Sequence, residues 1–219
     1  MKKLSILLLL MLLYASNAFA EIRVFRVEED FQIRNGISFN MNMEGVKAVE
    51  EQNGSVDITH SSARLSGTDR EGVLLYTTSL LGADAELRYD FSDAGTLTGF
   101  YYTYNKAKKA DISASLSERY GKPLFKNKDI LDVFGSEAIE MFLTYQSLFS
   151  NVALREYIGW LIQYDDCYVY VDLIDFTYKN SSQVNGVFYK ILDYEEAEYG
   201  ISRLEDYYDS VKKSKTNDL

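Results

Sequence analysis

Ala85-Glu86-Leu87-Arg88-Tyr89-Asp90-Phe91-Ser92-Asp93-Ala94-Gly95-Thr96-Leu97 alternates apolar with polar side chains and then breaks at a cluster of small turn residues. Period two over that length puts Ala85, Leu87, Tyr89 and Phe91 on one dry face and Glu86, Arg88, Asp90 and Ser92 on a wet one, the signature of a half-buried strand. Ser92-Asp93-Ala94-Gly95 supplies the turn, and Leu97 to Tyr104 the returning strand. On the other side, Val73 to Thr78 reads as a strand joined through Leu81-Gly82-Ala83-Asp84. Three antiparallel strands in a row make a meander, and the rest of the reading is built on it.

Working outward, Ile22 to Val27 and Phe31 to Ile37 read as extended pieces. Asn40 or Asn42 can cap a helix in which Met43, Val46 and Val49 recur at spacings of three, and Asn53-Gly54 ends it. Residues 55–72 give a weak strand at Val56 to Thr59 or a loop. After the meander, Asp111 opens a helix whose stripe is Ile112, Leu116 and Tyr120, stopped by Gly121-Lys122-Pro123. A second helical region is expected over Asp129 to Asn151. Glu156 to Tyr164 and Cys167 to Tyr178 form a hairpin across Asp165-Asp166. Val187 to Leu192 adds a short strand, and Glu195 to Lys213 a terminal helix with Ile201, Leu204 and Tyr208 apolar, its tail fraying from Ser214. The fold class is therefore α+β: an antiparallel sheet, meander plus hairpin, with helices packed mainly on one face.

The first twenty residues address the chain. Lys2 and Lys3 precede an apolar run from Leu4 to Tyr14, and Ala18-Phe19-Ala20 stands before Glu21, which makes residues 1–20 a secretory signal peptide. The run is too short to span a bilayer, which takes about 20 apolar residues, and no Cys follows the cleavage site to carry a lipid. The expected residence is periplasmic or secreted, with no membrane span after signal removal. Residues 21–192 then read as a single domain, with a hint of two similar halves meeting near 124–130, and 193–219 as terminal helix and tail.

Removing Lys2 and Lys3 takes the net charge from −10 to −12. Such an acidic surface repels phosphates and argues against nucleic acid as a partner. Cys167 is the only cysteine, so no intrachain disulfide forms; it sits in an aromatic strand pattern and reads as a buried structural thiol. The only histidine, His60, lies in the polar stretch Thr59-His60-Ser61-Ser62, and nothing in the sequence brings it to Cys167 as a catalytic base. One His and one Cys make no metal constellation, and no cofactor motif appears. Asp90 to Gly95 resembles a calcium loop but has Tyr101 where the bidentate glutamate belongs, so a hairpin turn explains it. Glu28-Glu29-Asp30 and Glu195-Glu196 with Glu198 fit helix starts and solvated faces.

The stretch Phe31-Gln-Ile-Arg-Asn-Gly-Ile-Ser-Phe-Asn-Met-Asn-Met-Glu-Gly-Val46 resembles the opening of a group of uncharacterised exported proteins and lipoproteins of gut bacteria. Ala85 to Leu97, and then Leu116-Ser-Glu-Arg-Tyr-Gly-Lys-Pro123, resemble that group's sheet and closing helix. The likeness covers residues 31 to about 123 and departs at Asn40, where the pattern has Gly, and at Gly45, where it has Glu. The helix-plus-meander arrangement is also similar to BamE and to β-lactamase inhibitory protein, which implies a role in binding other proteins rather than catalysis. The matching positions are turn and core residues, so the resemblance assigns no site residue.

Eighteen tyrosines supply the remaining signal. Phe100, Tyr102 and Tyr104 share one strand face, as do Tyr168, Tyr170 and Phe176. Left bare, such a face is a docking platform for another protein or a glycan; roofed by helices, it is core. The expectation is an exported, non-catalytic protein that binds a partner through this aromatic face. Two other readings stand beside it. A secreted glycosidase would need two carboxylates facing across a cleft, for which Asp165, Asp166, Asp172 and Asp175 are the acids at hand. An envelope structural component would need no ligand at all.

Overall fold

The computed structural model describes residues 24–27, 31–61, 72–104, 109–126, 134, 143, 146–147, 151–164, 167–178 and 182–217. The expected signal peptide, Glu28-Glu29-Asp30, Asp165-Asp166 and nearly all of the helix expected over Asp129 to Asn151 lie outside them.

The expected meander is present. Strands β5 (Val73–Leu80), β6 (Ala83–Phe91) and β7 (Leu97–Tyr104) pair antiparallel in sequence. Leu81 and Gly82 both hold positive φ, 51° and 69°, as a two-residue hairpin turn requires. At the other end, Gly95 (φ 74°) closes the turn by donating its N–H to the Ser92 carbonyl at 2.8 Å. The hairpin is also present as β9 (Ala153–Tyr164) and β10 (Cys167–Tyr178), with a bulge after Asp175. A third strand, β11 (Ser182–Leu192), pairs with β10 along its whole length and is five residues longer at its start than the sequence suggests. Its early residues Gln183 and Asn185 are polar, which hides the strand from a hydrophobicity pattern.

β11 also pairs antiparallel with β7, so the two three-stranded meanders fuse into one sheet. The order is β1-β9-β10-β11-β7-β6-β5-β4, where β1 (Phe25–Val27) adds a parallel edge to β9 and β4 (Val56–Asp57) closes the far edge. A short strand β8 (Phe125–Lys126) pairs with β9 as well. Apart from this sheet, β2 (Gln32–Arg34) and β3 (Ile37–Ser38) form a small hairpin.

Each sheet face carries its own core. On one face pack the β2–β3 hairpin, α1 (Met43–Gln52) and α2 (Lys109–Tyr120). Asn42 caps α1 by accepting from the Gly45 N–H at 2.8 Å, and α2 buries Ile112, Leu116 and Tyr120, the expected stripe. Tyr89, Phe100, Trp160 and Tyr189 fill the space beneath them. The opposite face is covered by α3 (Tyr194–Asn217), through Ala197 and Leu204, and by Phe134. Asp193 and Glu196 start α3 with a reciprocal capping box, each side chain accepting from the other's backbone N–H. The helix continues to Asn217, past the expected fraying point; Lys212 and Lys213 near its C-terminal end suit the negative pole of the helix dipole. No described helix is long and apolar enough to cross a membrane.

Candidate functional site

The six aromatic residues expected to form a bare face lie on two opposite sides of the sheet. Phe100, Tyr102 and Tyr104 belong to the core under α1 and α2, and Tyr168, Tyr170 and Phe176 to the core under α3. Five of the six are buried; only Tyr102 is half-buried. The expectation of an open aromatic plane is thereby corrected. Burying a ring of this size removes a large apolar area from water, and the helices supply that cover. What remains of the aromatic face is a recess, with Tyr102 on its wall.

This recess, about 260 Å³ in volume, opens between the β2–β3 hairpin, α2 and strands β7 and β11. Its deep wall is made of Phe100, Tyr104, Tyr189, Leu116 and Ile33, all buried. Around its mouth stand Asn35, Leu81, Ser115 and Arg119, all exposed. The register explains the wall: β7 and β11 are neighbours, and Phe100 lies directly opposite Tyr189, their rings 5.5 Å apart. Tyr102 and Tyr104 follow at spacing two, on the same side of the sheet.

Tyrosine hydroxyls give the wall a polar line. Tyr120 donates towards the Tyr189 hydroxyl at 3.5 Å, and Tyr189 is in turn coupled to Tyr102. Burial raises all three hydroxyls well above the ordinary tyrosine range, so they stay protonated. Tyr104 is pushed up to about 12 by burial, with Arg34 pulling the other way.

Two guanidinium groups line the recess, and they differ. Arg34 is neutralised: its Nε donates to Glu50 Oε1 at 2.8 Å, and Glu50 is fully buried. Tyr89 and Ser55 donate to the same carboxylate. Arg119 has no carboxylate within ion-pairing distance among the described residues. Instead it donates to the backbone carbonyls of Gln32 and Ile33 and lies over the Tyr120 ring at 5.2 Å. The lining includes no acid.

Sequence reasoning missed both arginines. The detectable signal was Glu50, four residues after Val46 on the buried stripe of α1, where an acid demands a cation. Arg119 gave no such signal, because its carbonyl partners lie 86 and 87 residues away.

The other sequence candidates fall elsewhere. Asp172 and Asp175 are both buried, in a strand covered on its two faces. Asp175 accepts from Gln183 and Asn185, at 2.7 and 2.9 Å. Lys109 brings Asp175 near Glu156, at 3.7 and 2.6 Å from its Nζ, and Lys126 adds a further contact to Glu156. Burial raises the Glu156 carboxyl, but the two lysines outweigh it and hold the group below the usual carboxylate range. A glycosidase acid needs the reverse, a carboxyl kept protonated. Cys167 is half-buried rather than buried; its Sγ lies 3.3 Å from the Tyr164 carbonyl. His60 is exposed in a turn. Among the described residues no group of three or more His, Cys, Asp and Glu side chains is placed to hold a metal ion.

No family model matches this chain, and no curated protein and no solved structure does either.

Proposed function

We propose that the protein is an exported, non-catalytic binding protein whose ligand enters the recess between the β2–β3 hairpin, α2 and the sheet. One observation supports this above the others: Tyr102 and three buried aromatic side chains border a recess of about 260 Å³ that is open to solvent. Pockets for drug-sized ligands run to roughly 300–1,000 Å³, so the occupant is smaller than these. An apolar wall with a few convergent polar groups is the usual make-up of a small-molecule site. A protein partner would reach the same rings by inserting one side chain through the mouth, since the sheet plane itself is covered.

Export rests on the leader-like residues 1–20, and the absence of catalysis on the lack of any nucleophile–base pair in the sequence. The test is titration of the folded chain with indole, a neutral aromatic probe, followed by amide NMR shifts. The expected result is saturable shifts confined to residues of the recess, Leu81, Tyr102, Leu116 and Tyr189 among them. An absence of shifts at millimolar probe would remove the reading.

A further inference from the structure

We propose that the recess selects a small aryl carboxylate, with the aromatic group against Tyr102 and the carboxylate on Arg119. This rests on the reading of the recess as a ligand site and adds the chemical class.

Charge at the mouth is the first argument. The chain has a net charge of −10, and its field opposes any anion approaching from solution. Arg119 places a positive charge at the mouth. Of the two cations in the lining, Arg34 is already matched by Glu50, so among the described residues the charge without a carboxylate partner belongs to Arg119. Because no acid lines the recess, a carboxylate there meets no opposing charge from its walls.

Preorganisation is the second. A guanidinium carries five donors in a rigid fork. Arg119 uses its Nη1 and Nη2 on the Ile33 and Gln32 carbonyls, which fix the group at the mouth. Stacking over Tyr120 fixes its plane. Donors not spent on those carbonyls remain for a ligand, and little side-chain entropy is lost when it binds. Behind Arg119, the half-buried Tyr102 ring and the buried rings of Phe100 and Tyr189 offer an aromatic group faces and edges to pack against.

The test compares 3-phenylpropionate with its neutral amide on the full chain, by calorimetry or NMR titration. The acid is expected to bind about tenfold tighter than the amide, the difference a charge-assisted hydrogen bond makes. Arg119→Gln is expected to abolish that preference while leaving amide binding unchanged, and Arg119→Lys to keep part of it. Equal binding of acid and amide to the unaltered chain overturns the carboxylate assignment while the ligand site stands. An acid preference that survives in Arg119→Gln overturns the assignment to Arg119. If neither probe nor indole binds, the ligand-site reading falls with it. The acid–amide comparison on the unaltered chain decides the class without any variant having to fold.

Discussion

The Glu50 carboxylate, with no exposure of its own, is held by Arg34 Nε at 2.8 Å across sixteen residues of chain. This contact ties α1 to the β2–β3 hairpin that roofs the recess. Removing one partner of a buried pair strands the other charge and costs about 3–5 kcal/mol. Arg34→Met is therefore expected to be strongly destabilising in urea unfolding, read from Trp160, which is buried in the same core. Adding Glu50→Gln should return part of the loss, because an amide oxygen still accepts from Tyr89 and no charge is left stranded. A single-variant cost below about 1 kcal/mol would mean the carboxylate reaches water.

Asp175 gives a second case of a buried acid with named partners. Its Oδ1 accepts from Gln183 and from the fully buried Asn185, while Oδ2 faces Lys109. Asp175→Ala removes all three contacts, and a buried amide that loses its acceptor costs about 1–3 kcal/mol. The expected loss is about 2–3 kcal/mol by urea unfolding, with Asp175→Asn milder because it keeps one acceptor oxygen. Equal loss in both variants would show that charge, not acceptance, is what the site uses.

These two acids mark where the sequence stops being legible. The meander was readable because Ala85 to Phe91 alternates cleanly, and the stripe Ile112, Leu116, Tyr120 because its spacing is helical. Asp172 and Asp175 sit inside Val171 to Phe176, an otherwise continuous apolar run, which is the pattern of a strand covered on both faces; that run implies their burial, but not their partners, Tyr157 on β9 for Asp172 and Gln183 and Asn185 on β11 for Asp175. The aromatic residues were found and their exposure misjudged, since alternation says which residues share a face and not what lies over it. The recess depends on α2 docking against a hairpin more than seventy residues away, which no local pattern encodes.

The Lys109–Glu156 pair makes stability depend on pH at both ends. For Glu156, burial raises the carboxyl and the lysines lower it further than that, so its folded value sits below the ordinary 4.5. The pair's stabilisation is then fully present above 4.5 and is lost as pH falls through the folded value. Lys109 is shifted above 10.5, chiefly by the hydrogen bond to Glu156, so its share is full below 10.5 and is lost as pH rises through the folded value. Subtracting the urea midpoints of Glu156→Gln from those of the unaltered chain should give a plateau between these limits and a decline outside them. A flat difference from pH 3 to 6 would contradict the lysine contacts.

Gly159 is the point where the sheet admits β8. A Cβ there would stand 2.6 Å from two ring carbons of Phe125 and 2.9 Å from the Tyr170 hydroxyl, closer than real side chains approach. The Gly159 carbonyl also accepts from the Leu124 N–H at 2.7 Å, so the backbone of residues 124–125 is clasped to β9 and cannot simply lift away. Overpacking of this kind costs about 1–3 kcal/mol, and Gly159→Ala is expected to lose that much in urea unfolding. Phe125→Leu creates space at the same spot and costs stability alone, yet it should suppress part of the Gly159→Ala loss. Contacting residues are non-additive in this way. Strict additivity of the two changes would mean that the ring moves aside freely and that β8 is not held against Gly159.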